Sequence, residues 1–101
     1  MITTKQRASL RGMANKIDTI VHVGKGGITD TIVKQLDDAL TARELVKGKV
    51  LESALLTSRE VCENLARRTK SAPVQVIGTK FVLYRPNKKL PADKRIHLER
   101  E

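Results

Sequence analysis

At 101 residues the chain is sized for one domain, and a 40% hydrophobic content gives it the material for a modest core. Its net charge of +9 points to a polyanionic partner. No run approaches the roughly 20 apolar residues of a membrane span, no apolar core marks a signal peptide at residues 1–6, and the lone Cys62 has no internal disulfide partner, so a cytoplasmic protein is expected.

In chain order, Thr3 or Thr4 can cap a first helix running to about Ala14, with Ala8, Leu10, Met13 and Ala14 as its apolar stripe. The β-branched run at 19–23 (Thr-Ile-Val-His-Val) reads as a strand. Gly24-Lys25-Gly26-Gly27 follows as a loop. A second helix over 29–42 carries Ile32, Val33, Leu36, Ala39 and Leu40 at helical spacing. Leu45 to Leu51 reads as a strand in which Lys47 and Lys49 alternate with Val46 and Val50, and Gly48 is its weak point. Thr57 or Ser58 can cap a third helix, Thr57 with Glu60 fitting the capping-box spacing, and its buried stripe is Val61, Cys62, Leu65 and Ala66. Pro73 to Ile77 and Lys80 to Tyr84 form a hairpin across Gly78-Thr79. From Arg85 onward, prolines and mixed charge predict an extended or disordered end. The order α-β-α-β-α-β-β predicts a two-layer α/β domain, with a four-stranded mixed sheet covered by three helices mainly on one face.

Charge is uneven along the chain. Residues 1–27 carry +4, 28–57 carry −1, 58–84 carry +3 and 85–101 carry +3. A positive face is expected rather than a uniformly basic surface. The glycine loop joins a strand to a helix N-terminus, where backbone N–H groups and the helix dipole favour an anion. Glycine also lets a sugar–phosphate backbone come close. Two readings of the loop stand side by side: a phosphate or ribose clamp, as in the GXXG loop of KH domains, or a tight turn that needs positive φ. It is not a nucleotide-hydrolysis loop, because no second glycine followed by Lys and Ser or Thr closes it at the required spacing.

Candidate RNA contacts are Gly24, Lys25, Gly26, Gly27 and Thr29 at the loop, Lys5, Arg7 and Arg11 in the first helix, and Lys47, Lys80 and Arg85 beyond it. With only Phe81 and Tyr84 as aromatics, an extended base-stacking platform is ruled out, so recognition should follow backbone and shape and depend steeply on salt. His22, beside the loop, is read as packed or as a neutral surface residue. No His, Cys or Asp cluster has metal-ligand spacing. Cys62 lies in a helix stripe and reads as a small buried hydrophobe. No pair of carboxylates stands out, so no residue can be named as a catalyst, and no cofactor is expected.

The chain resembles the CRM domain family, in particular its stand-alone bacterial YhbY-like members. The matching pieces are Thr4-Lys5-Gln6-Arg7 with Leu10-Arg11, Val23 through Thr29, Glu44-Leu45-Val46-Lys47, Val76-Ile77-Gly78, and Val82 through Pro86. The resemblance implies a fold similar to the C-terminal domain of bacterial translation initiation factor three. It also implies RNA binding through the GxxG loop and adjoining basic surface, association with precursors of the large ribosomal subunit, and no enzymatic activity. It sets a domain at 1–86 and leaves 87–101 as a basic, flexible tail. Three positions depart from the family pattern: Asn15 and Arg43 stand where His is frequent, and Gly48 where a β-branched or apolar residue is usual. The last calls the regularity of that strand into question. The reading is a monomeric rRNA-binding protein of large-subunit assembly. Its rivals are a general RNA chaperone or regulator of small RNAs or mRNAs, and a basic adaptor that docks on an acidic protein.

Overall fold

The computed structural model describes residues 2–98, and among them three α-helices and one four-stranded sheet follow the predicted order. α1 spans Thr4–Ala14, β1 Thr19–Val23, α2 Asp30–Arg43, β2 Leu45–Val50, α3 Ser58–Thr69, β3 Ala72–Ile77 and β4 Lys80–Tyr84. Each helix begins on a threonine whose hydroxyl accepts from an otherwise unpaired backbone N–H. Thr3 and Gln6 form a reciprocal capping box at 3.0 and 3.1 Å, and Thr57 and Glu60 form another, both bonds at 3.1 Å. Thr29 Oγ1 accepts from the Ile32 N–H at 3.1 Å ahead of α2.

The strands lie in the order β1-β2-β4-β3. β1 and β2 are parallel, joined through α2, and the other two pairs are antiparallel. The layering differs from the expectation. α2 and α3 share one face, where Leu36, Leu40, Val61 and Leu65 pack on Val21, Val23, Val46, Phe81 and Leu83. α1 covers the other face, where Leu10 and Ala14 pack on Leu45, Val74, Val82 and Tyr84. Successive residues of β4 therefore enter opposite cores, and Phe81, Val82, Leu83 and Tyr84 are all buried. An unbroken apolar run of this kind belongs to a strand covered on both sides.

Gly48 does not break β2. Pairing to β4 runs without interruption from Leu45 opposite Tyr84 to Lys49 opposite Lys80, while on the other side of β2 the extra residue is in β1, between Thr19 and Val21, opposite Lys47 and Gly48. A Cβ at Gly48 would stand 2.2 Å from Phe81 Cζ. The ring of the facing strand occupies the space a side chain would need, so aromatic and glycine form one packed pair.

The C-terminal segment, expected as extended or disordered, is, among its described residues, irregular apart from a 3-10 turn at Ala92–Lys94 but anchored to the domain. The anchor is Glu44, a fully buried residue at the end of α2 with φ +66. Its carboxylate accepts from the backbone N–H groups of Asn87 and Ile96, both at 2.6 Å, and Arg95 Nε lies 3.6 Å away. Ile96 and Leu98 then pack against the α1-side core. A flexible tail was expected because composition weighs charge and proline but cannot register one buried carboxylate that bonds two N–H groups 9 residues apart. The last three residues of the tail lie outside the described residues.

Candidate nucleic-acid interface

Parallel β1 and β2 end at the same edge of the sheet where β3 ends and β4 begins. Three connections therefore meet there: the glycine loop after β1, residues 51–57 after β2, and the Gly78-Thr79 turn. Backbone bonds tie them together. Leu51 N–H donates to Val23 O at 2.8 Å and Val50 N–H to Thr79 O at 2.7 Å, while Ser58 Oγ donates to Gly78 O at 2.6 Å.

Within the glycine loop, Gly27 N–H donates to Gly24 O at 2.9 Å and closes a tight turn. Gly27 has φ +68, so at this residue the turn reading and its need for glycine hold. Gly24 and Gly26 differ, since neither has positive φ. A Cβ on Gly24 would meet Leu51 Cδ1 at 3.4 Å and Ser53 Oγ at 3.6 Å, and one on Gly26 would meet Thr29 Cγ2 at 3.4 Å. Neighbouring side chains can accept such contacts, so the fold does not demand glycine at these two positions. Lys25 and Gly26 are exposed and Thr29 caps α2 behind them.

The remaining predicted residues divide into two groups. Lys80 starts β4 beside the loop edge, paired across the sheet with Lys49, which is in turn paired with His22. Their strand neighbours Val21, Val23, Val50 and Phe81 all enter the α2–α3 core. The row His22–Lys49–Lys80 therefore faces the α1 side, with directly paired residues ~5 Å apart at Cβ. Lys49 was not among the sequence candidates, and His22, read as packed or as a neutral surface residue, is exposed. The alternation Val46-Lys47-Gly48-Lys49-Val50 placed both lysines on one face without separating them.

The other candidates serve the fold or lie elsewhere. Lys47 Nζ donates to Ala14 O at 3.2 Å and satisfies a carbonyl at the end of α1. Arg85 Nη1 donates to Asp37 Oδ1 at 2.6 Å and Thr69 O at 2.7 Å, and its Nη2 to Asp37 O at 3.0 Å and Thr41 Oγ1 at 2.9 Å. That guanidinium bolts the second half of α2 to the end of α3. Arg7 Nε donates to Pro73 O at 3.2 Å. Pro73 lies four residues before the end of β3, about 13 Å along the strand from the loop edge. Lys5 is exposed and Arg11 half-buried on the same helix. A cavity of about 780 Å³ between Arg7, Lys70, Tyr84 and Arg95 also opens away from the loop, where the C-terminal segment returns over the start of α1.

Among the described residues no cluster of His, Cys, Asp or Glu could hold a metal ion, and no helix is long and apolar enough to cross a membrane. Cys62 is buried in α3, and burial pushes its thiol up to about 11. Both aromatics are buried, Phe81 completely and Tyr84 to within 5%.

Comparison with known proteins gives a consistent result. The model of the CRS1/YhbY (CRM) domain matches residues 2–85. The chain is 42% identical over 88 residues to "Probable RNA-binding protein YqeI" of Bacillus subtilis, covering 87% of this chain and 92% of that protein. It is 36% identical over 86 residues to an "RNA-binding protein" of Haemophilus influenzae, covering 85% and 87%. The solution structure of SAV1595 from Staphylococcus aureus, itself named as a candidate RNA-binding protein, superposes with a TM-score of 0.76 at 40% identity, over 98% of this chain and 100% of that one.

Proposed function

The chain belongs to the CRS1/YhbY (CRM) domain family, and from that membership and the loop geometry we propose that it binds RNA at the glycine-loop edge of its sheet. We take the RNA to be that of the large ribosomal subunit precursor, bound by a cytoplasmic monomer during assembly and without catalysis. The observation that carries the reading is that Gly24 and Gly26 flank exposed Lys25 without a conformational or packing need for glycine. Their bare backbone suits close approach of a sugar–phosphate chain to the loop amides and the α2 N-terminus. Lys25, Lys49 and Lys80 supply the cations, and His22 extends the row. Three lysines on a single strand imply a log–log salt slope of about −2, or roughly twentyfold weaker binding between about 50 and 200 mM salt.

The test is in-cell crosslinking and sequencing of bound RNA for wild type and for Lys25→Glu/Gly26→Asp. Neither substitution meets a packing barrier, so both proteins fold. A focused footprint on large-subunit rRNA that disappears in the variant is expected. Crosslinks scattered over messages would replace the assembly role with a general chaperone role. A footprint that persists in the variant would move the binding surface off the loop.

A further inference from the structure

Among the described residues, the large hydrophobic side chains that stand exposed are Leu51 at 38%, Leu55 at 93%, Leu56 at 38% and Ile77 at 61%, and all four lie at the glycine-loop end of the molecule. Leu51, Leu55 and Leu56 belong to the connection after β2, which borders a groove of about 550 Å³ shared with Val50, Gly78 and Thr79. Leu51 and Leu56 adjoin the loop's flank: a Cβ at Gly24 would meet Leu51 Cδ1 at 3.4 Å, and one at Gly27 would meet Leu56 Cδ1 at 3.8 Å. Leu55 is the least accountable to the fold. It sits at φ +57 and ψ +21, in the left-handed region, at the end of the 3-10 turn Glu52–Ala54. Asn or Gly suits that conformation better, and at 93% exposure the leucine side chain packs on nothing.

We infer that these leucines are the base-contacting half of the same site: unpaired nucleobases of an RNA strand whose phosphates lie on Lys25 and the glycine loop rest on Leu55, with Leu51 and Leu56 as the floor. The inference rests on the RNA reading above. Charge sorts the two halves. The acid on the connection, Glu52, is exposed and repels phosphate, while Glu60 at the groove's edge is engaged in the α3 cap. Lys25 is exposed within the glycine loop, whose flank Leu51 and Leu56 adjoin. A strand held by its phosphates on Lys25 and the loop amides has its bases within reach of the leucines. With both aromatics buried, aliphatic side chains are the apolar surface the molecule offers to a base at this edge.

Leu55→Asn tests the inference, because the fold predicts that it leaves the melting temperature unchanged or higher. Binding is read by fluorescence anisotropy with a labelled, unstructured RNA oligonucleotide of mixed sequence and with the same strand carrying abasic sites. For the intact strand, Leu55→Asn should weaken binding about five- to tenfold and leave the salt slope unchanged. Lys25→Glu should flatten that slope. On the abasic strand wild type should bind more weakly, and Leu55→Asn should make no further difference. Equal binding of wild type and Leu55→Asn to the intact strand would overturn the inference and leave the leucines to a protein partner, with the RNA reading intact. Failure of wild type to bind either strand would overturn both.

Discussion

Gly48→Ala gives the sharpest test of how the proposed binding edge is supported. β2 carries Lys49 and runs directly into the leucine connection, so the state of its centre governs both. A Cβ at position 48 would lie 2.2 Å from Phe81 Cζ and 2.7 Å from Cε1 and Cε2. Carbon atoms in good contact stand ~3.5 Å or more apart, so the ring must retreat by over ~1 Å. Phe81 is fully buried among Val46, Leu36, Leu65 and their neighbours, and has nowhere to go. Overpacking of this kind costs about 3 kcal/mol at the upper end of its range. Against it stands about 1 kcal/mol gained because alanine restricts the unfolded chain. The net loss is about 2 kcal/mol, which for a domain of this size lowers the melting temperature by about 8–16 °C. Urea unfolding of wild type, both single variants and Gly48→Ala/Phe81→Leu measures it. The midpoint should fall with the slope unchanged, and the double variant should be less destabilised than the sum of the singles by at least ~1 kcal/mol. A Gly48→Ala protein as stable as wild type, or strictly additive variants, would refute the reasoning.

Two further outcomes follow. Cys62 holds its proton in the folded protein up to about 11, against an ordinary 9.0, so between those values the native state binds more protons than the unfolded chain and stability falls as pH rises; the urea midpoint should drop from about pH 8 to about pH 10, and less so in Cys62→Ala. Lys47 and Lys49 should separate cleanly: Lys47→Ala loses about 1 kcal/mol of stability with RNA affinity unchanged, whereas Lys49→Ala keeps its stability and flattens the salt slope by about 0.7, as paired melting and salt-titration curves will show.

Local signals carried most of the element boundaries. Of the caps the sequence offered, Thr3 rather than Thr4 and Thr57 rather than Ser58 hold the helix starts, and Thr29, read as the start of the second helix, is its cap; capping chemistry acts within four residues and needs no tertiary context. The hairpin across Gly78-Thr79 was legible for the same reason. The layering was not, although a trace of it stood in the sequence. Phe81-Val82-Leu83-Tyr84 lacks the alternation of a strand with one wet face, and an unbroken run announces cover on both sides. Gly48 illustrates the opposite limit. Its meaning depends on a ring 33 positions away in the chain, which no local pattern reports.

The same division decides how far a binding site can be read from charge. Lys25 was singled out because a loop, a helix start and a cation sit together in sequence, and the structure leaves it exposed. Lys47, Lys49 and Arg85 were indistinguishable, since each is a cation at a strand position with no neighbour that states its duty. What separates them is where a carbonyl or carboxylate comes to rest in three dimensions. The end of α1 falls on Lys47 and claims it, and α2 and α3 together claim Arg85 through four bonds. Lys49, two residues further along the same face, lies past the end of the helix and is left beside Lys80. A cation's availability to RNA is thus set by which acceptors the fold has already brought to it. In a small basic domain the residues to test first are those whose side chains the fold does not use, which here means Lys25, Lys49, Lys80 and, on the apolar side, Leu55.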